Sequence, residues 1–439
     1  MKRRSSGRFS IVLKVILLSM SMVTLCACSF ETLIETIRPS ELVVDKTDGD
    51  VDEIEYKENF TESESQEETE PKQVEPEKSE PEIIQEEEPK TVEILGTEYD
   101  LNVETLDLSS ITTEDVANVA DSISGLSELK IVNLMSEEGE SLLPLPYVAT
   151  LKQAAPEVHF VYEFDLYDNH ISTSDTEVQY INTPIGNEGE EYIRQTLTIL
   201  DECEYFLLDD CGIDDEIMAG IREDFPETKV VWRIHVGRKS ALTDDPIIRM
   251  THGIDDTMTG PLKYCNEVVY MDLGHDTGIT DISFTAYMPL LECLILSDAQ
   301  FKDLSPLTNC PNLTWLELIY CYHIEDLSVI SGMESIKYLN ISNTGTKDIS
   351  GIMNMDLDRF CCIGNRVSEE DFEKFTELHP DCMSVSTGNP YGYAWRYDDY
   401  GYTFFSYYAR MREVFRYTQS SPGGFKFPED DNIETNNNM

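Results

Sequence analysis

The residues that could carry out catalysis or hold a metal are present but spaced wrongly for either. His159, His170, His235, His252, His275, His323 and His379 never fall at ligand spacing. The chain has no H-E-x-x-H, no G-x-S-x-G, no P-loop, and no G-x-G-x-x-G in the right context. Asp48-Gly-Asp50-Val-Asp52 begins like a calcium loop, yet the sixth and twelfth positions, where such a loop needs Gly and Glu, hold Glu53 and Asn59. Asp209-Asp210 and Asp214-Asp215 could be read as catalytic acids or calcium ligands. A strand exit followed by a helix N-terminus accounts for them more simply, because acids there meet free N–H groups and the helix dipole. The chemistry to expect is recognition: no enzyme, no metal and no cofactor.

What positions a recognition surface is a repeat. Val268-Val-Tyr-Met271-Asp-Leu273, Leu291-Glu-Cys-Leu294-Ile-Leu296, Leu313-Thr-Trp-Leu316-Glu-Leu318, Ile336-Lys-Tyr-Leu339-Asn-Ile341 and Leu357-Asp-Arg-Phe360-Cys-Cys362 all read L-x-x-L-x-L. They start 23, 22, 23 and 21 residues apart, and a second landmark keeps step at Asp281-Ile-Ser283, Asp303-Leu-Ser305, Asp326-Leu-Ser328 and Asp348-Ile-Ser350. A period in the low twenties with this pattern predicts one short strand and one return arc per unit, stacked so that neighbours bury each other's apolar side.

The pattern, with its D-[IL]-S step and the Pro289 and Pro311 that open two units, resembles the short internalin-like leucine-rich repeats of Gram-positive bacterial surfaces. The fold class expected is α/β: a leucine-rich-repeat solenoid, a curved parallel sheet with helical or irregular outer arcs, preceded by a disordered tether. In each strand the leucines point inward and the residues between them stand on the concave face. One column is then Tyr205, Tyr270, Cys293, Trp315, Tyr338 and Arg359; the next is Leu207, Asp272, Ile295, Glu317, Asn340 and Cys361. Tyr and Trp supply contact area at small entropic cost, so Tyr205, Tyr270, Asp272, Trp315, Glu317, Tyr338, Asn340 and Arg359 are the candidate ligand-binding residues. The alternative is that the chain's own C-terminal segment covers this stripe.

The net charge of −53, from 32 basic against 85 acidic residues, excludes binding to a phosphate backbone. Lys2, Arg3, Arg4 and Arg8 precede an apolar run too short to span a membrane comfortably, which reads as a signal peptide. It ends Leu25-Cys26-Ala27-Cys28, which resembles a lipobox; the resemblance implies a diacylated Cys28 and a protein held on the outer face of a bacterial membrane, its only membrane contact. The following Glu-, Pro- and Ser-rich stretch buries too little apolar surface to fold. Stretched at about 3.3 Å per residue it reaches on the order of 200 Å.

Weaker copies of the repeat lie at 103–108, 129–134 and 203–208, with helical spacing over 114–124 and 214–224. A second duplication places Ala155-Pro156-Glu157 and Phe225-Pro226-Glu227 at the head of alternating strands 70 residues apart, with a fainter third version over 371–385. The first two lead into stretches read as loop excursions, 167–189 and 237–261. Cys211, Cys310 and Cys321 sit where repeats place structural thiols. Residues 389–417 are dense in Tyr, Phe and Trp, which suits a cap over an open solenoid end or a patch that docks glycan.

The organisation expected is a lipoprotein signal peptide at 1–27, an acidic tether at 28–92, longer helix-bearing repeats at 93–260, leucine-rich repeats at 261–388, and an aromatic cap and tail at 389–439. The function expected is a membrane-anchored extracellular module that binds a protein ligand through its concave face. The alternative is an envelope component that binds wall polysaccharide through its C-terminal aromatics.

Overall fold

The computed structural model describes residues 91–397, 403–417, 419–420 and 424–425. The export signal, Cys28 and the expected tether as far as residue 90 lie outside these residues; residues 91 and 92, expected in the tether, already belong to a strand. A hairpin, β1 (Thr91–Ile94) and β2 (Thr97–Asp100), leads into three parallel sheets in succession. The first is β3 (Thr105–Asp107), β4 (Ile131–Asn133) and β5 (His159–Val161), linked by helices α1 (Val116–Ile123) and α2 (Leu145–Ala154). A hairpin, β6 (Glu163–Leu166) and β7 (Asn169–Ser172), interrupts it.

The second sheet is β8 (Glu177–Ile181), β9 (Tyr205–Asp209) and β10 (Lys229–Val236), linked by α3 (Glu190–Ile199) and α4 (Asp215–Asp224). It ends on an antiparallel partner, β11 (Lys239–Leu242). The third sheet runs through β12 (Ile247–Arg249), β13 (Tyr270–Asp272), β14 (Cys293–Ile295), β15 (Trp315–Glu317), β16 (Tyr338–Asn340), β17 (Arg359–Cys361) and β18 (Met383–Val385), all parallel. Helix α5 (Glu369–Leu378) precedes β18; α6 (Tyr393–Arg396) and α7 (Ser406–Val414) follow it.

The repeat sets this architecture. Met271, Leu294, Leu316, Leu339 and Phe360 lie in register across five neighbouring strands and are wholly buried. The flanking apolar positions, from Val268 and Leu273 to Leu357 and Cys362, are buried with them, so each unit completes its neighbour's core. These are leucine-rich repeats. The D-[IL]-S landmark opens each 3₁₀ arc: the carboxylates of Asp281, Asp303, Asp326 and Asp348 accept the backbone N–H two residues on at 2.7–2.8 Å. That hydrogen bond holds Asp303, Asp326 and Asp348 below the usual carboxylate range. The arcs press together closely. A Cβ on Gly351 would stand 2.9 Å from the Ser328 backbone of the preceding arc. Gly351→Ala should therefore cost about 1–3 kcal/mol, read as a lower urea midpoint, whereas an unchanged midpoint would mean the arcs can part freely.

The two stretches expected to be loop excursions are neither loops nor alike by chance. Each holds the return strand of a hairpin followed by a new repeat strand, β7 then β8, and β11 then β12. The 70-residue offset extends to single hydrogen bonds. The N–H groups of Tyr162 and Trp232 donate to the Thr173 and Thr243 hydroxyls, and those of Ser172 and Leu242 to the Asp175 and Asp245 carboxylates. The hairpins mark the two seams between sheets. Apolar residues form one interior from Ile94 to Tyr162, with Ile199, and another from Ile171 to Phe375 that passes without a break from the helix-bearing repeats into the short ones.

Candidate functional site

In a three-residue strand whose middle residue is buried, both neighbours face away from the arcs. The sheet register aligns Tyr270, Cys293, Trp315, Tyr338 and Arg359 in one column and Asp272, Ile295, Glu317, Asn340 and Cys361 in the next. The columns expected from the sequence are therefore columns in the structure.

They are not an open surface. Trp315 and Asn340 are 0% exposed, Tyr270 and Asp272 1%, Glu317 2% and Arg359 7%; Tyr338 is half-buried. The C-terminal segment lies across them. The Trp315 ring packs against Trp395 at 4.1 Å between centroids and against Phe405, Tyr407 and Tyr408 at 5.7–5.9 Å. Tyr270, Cys293, Ile295, Trp315 and Cys361 of the sheet form one apolar cluster with Trp395, Phe405, Tyr408, Met411, Val414, Phe415 and Tyr417. Polar contacts cross the same boundary. Trp395 Nε1 donates to Glu317 at 2.6 Å and the Tyr417 hydroxyl donates to Asp272. Asn340 Nδ2 donates to the Pro390 carbonyl at 3.0 Å, and Arg359 donates to the Ala394 and Tyr397 carbonyls at 3.1 and 2.8 Å while its guanidinium stacks 3.7 Å from the Phe405 ring centroid. Burial pushes the Asp272 carboxyl up, with Tyr417 opposing.

The expectation of an exposed ligand stripe at Tyr270, Asp272, Trp315, Glu317, Tyr338, Asn340 and Arg359 is corrected accordingly. A face with Tyr, Trp, Cys and Ile on it is better removed from water, and the aromatic segment removes it. Tyr205 stands apart from that group, half-buried in the second sheet, with its hydroxyl donating to Asp244 at 3.3 Å. The segment expected to close the solenoid's end or to offer aromatics to glycan instead spends Trp395, Phe405, Tyr408 and Phe415 on this face. One signal in the sequence pointed here: Cys293, Ile295 and Cys361 are apolar residues in columns that an open surface would make polar.

Among the described residues nothing covers the equivalent face of the first sheet. Thr105 and Asp107, Ile131 and Asn133, and His159 and Val161 line it strand by strand. Ile131 is 42% and Val161 37% exposed, and Ile181 at the end of β8 is 55%. Asp107 sits beside them, drawn below its ordinary value by the Ser109 backbone N–H. Sequence reasoning passed over these residues because they carry no aromatic stripe.

The acid pairs have structural partners. Arg233 clamps Asp209 with two hydrogen bonds at 2.5 and 2.9 Å, His235 Nε2 bonds Asp210 at 2.6 Å, and Trp232 Nε1 donates to Asp215 at 2.9 Å. Among the described residues no three His, Cys, Asp or Glu side chains are grouped to hold a metal ion. The nine described cysteines are free thiols. Cys211, Cys310 and Cys321 donate to the Tyr180, Thr285 and Leu296 carbonyls of neighbouring units, and burial pushes the Cys211 and Cys310 thiols up to about 11.

At a strand exit, burial pushes the Asp276 carboxyl up to about 6, and its Oδ1 accepts the Ile254 N–H at 2.8 Å. The hydrogen bond to Asp298 at 2.8 Å raises His275. A raised carboxyl holds its proton more tightly folded than unfolded, so its contribution is complete near pH 4 and is lost as pH rises through about 6; a raised histidine contributes below its ordinary value and loses that contribution above. Asp276→Asn should therefore melt at the wild-type temperature at pH 4 and above it at pH 8. A variant that melts lower at pH 8 would contradict this.

No family model matches the chain, and no curated protein matches it. Among solved structures it is similar to an internalin, inlF, of Listeria monocytogenes, at 16% identity over 67% of this chain and 86% of that one, with a TM-score of 0.25. The functional domain of InlJ from the same species is 13% identical over 66% of this chain and 69% of that one, TM-score 0.28. A leucine-rich-repeat protein of Leptospira interrogans is 12% identical over 64% and 82%, TM-score 0.24.

Proposed function

We propose that the protein is a lipid-anchored extracellular module that binds a protein ligand on the open face of its repeat sheet. Cys28 carries the lipid, residues 28–90 are the tether, and the outer face of the bacterial membrane is the location. The face divides in two. Over the third sheet it holds the chain's own C-terminal segment, and over β3–β5 it is free to receive a ligand. The supporting observation is the exposed pair Ile131 and Val161 on a sheet face with Asp107, Asn133 and His159 beside them. An apolar centre with a polar rim is the anatomy of a binding patch. In so acidic a chain, charge favours a basic partner.

The test incubates the full lipidated chain with purified extracellular proteins and, in parallel, with purified cell-wall sacculi. Saturable capture of a protein that Ile131→Asp with Val161→Asp abolishes, at unchanged circular dichroism, supports the reading. Capture indifferent to that double substitution, or binding to sacculi alone, contradicts it. The wall-polysaccharide reading has less support, since the aromatics it needs are buried against the sheet.

A further inference from the structure

The two sides of the third sheet are buried by different chemistry. Behind it, the strands put Met271, Leu294, Leu316, Leu339 and Phe360 into the repeat core. In front, between sheet and C-terminal segment, lie four of the six buried Asp, Glu, Lys and Arg side chains among the described residues: Asp272, Glu317, Arg359 and Arg396. Trp315 and Trp395 meet there too. Trp, Tyr and Arg with paired charges are the composition of a protein interface, whereas a folded core avoids them. The polar contacts are also directional. Sheet carboxylates accept from the segment's indole and phenol, and sheet Asn340 and Arg359 donate to the segment's backbone carbonyls. Among the described residues the Nε1 of Trp315 and the hydroxyl of Tyr407 are buried at this boundary with no hydrogen-bond partner. The segment joins the last repeat through a short link in which Gly388 adopts φ +116°.

We infer that the sheet face over β13–β17 is a peptide-binding site for an aromatic, arginine-bearing helical segment, filled in cis by residues 391–397 and 403–417 and able to take the same segment from a second copy of the chain. This goes beyond the ligand patch on β3–β5 and does not depend on it. The short link gives the chain's own segment a high effective concentration, so the closed monomer dominates in dilute solution. Anchoring many copies on one membrane raises the concentration of the competing segment, and exchange of identical elements then links neighbours without any new contact.

The experiment places a specific protease site between Gly388 and Asn389 of the full chain and uses a fluorescent synthetic peptide of residues 391–417 as the probe. After cleavage the chain should keep its circular dichroism and take up the peptide with one-to-one saturation, whereas the uncleaved chain should bind it at least ~100-fold more weakly. Asp272→Asn with Glu317→Gln in the cleaved chain should weaken uptake about tenfold or more. A cleaved chain that stays folded and takes up no peptide overturns the proposal. If cleavage unfolds the chain, intact chains with two different tags decide the matter. Deleting 386–388, which shortens the link between β18 and the segment, yields mixed-tag dimers if the site accepts a second copy's segment. Monomers or aggregates alone would overturn it.

Discussion

Glu317→Ala is expected to lower the free energy of unfolding by about 3–5 kcal/mol. Its carboxylate is buried, accepts from Trp395 Nε1 at 2.6 Å and from the Ser297 hydroxyl at 3.1 Å, and stands 3.6 Å from the Arg396 guanidinium. Removing it leaves the indole N–H and Ser297 hydroxyl without that acceptor and takes a carboxylate away from beside a buried guanidinium. Both costs fall on the folded state alone. Glu317→Gln keeps an acceptor and should lose less. Chemical denaturation measures both variants, and a loss under about 1 kcal/mol for Glu317→Ala would mean that the segment is not seated on the sheet.

The second large effect is that of Trp315→Ala, at about 3–5 kcal/mol. The indole is wholly buried and meets four aromatic rings of the C-terminal segment, so its loss opens a cavity at the centre of that contact. The substitution should also expose the segment, and proteolysis within 403–417 should quicken while the strands stay protected. Ligand capture by the β3–β5 patch should survive it. Loss of capture with the fold intact would restore Trp315 to a direct ligand-binding role.

The repeat core was legible because its period fixes which residue of each unit points inward; Met271, Leu294, Leu316, Leu339 and Phe360 follow directly from their spacing. The same alternation fixed the columns of the opposite face. Spacing says which residues share a face and nothing of what lies on it, so Trp315 read as a contact waiting for a ligand when its contact was Trp395. The return strands β7 and β11 escaped for another reason. Each is four residues long with one buried apolar position, Ile171 or Ala241, and so short a polar stretch after a turn looks like loop. The 70-residue echo, once carried past Tyr162 and Trp232 to Thr173 and Thr243, was the evidence that they are built elements.

Amide hydrogen exchange on the ligand-free, lipidated chain tests the central claim most directly. If the C-terminal segment occupies the sheet face, amides in α7 should be protected to nearly the degree of those in β13–β17, and Trp315→Ala should release α7 selectively. Rapid exchange throughout 406–414 in the wild-type chain, with the strands protected, would contradict the account and leave the aromatic stripe open to a ligand from outside.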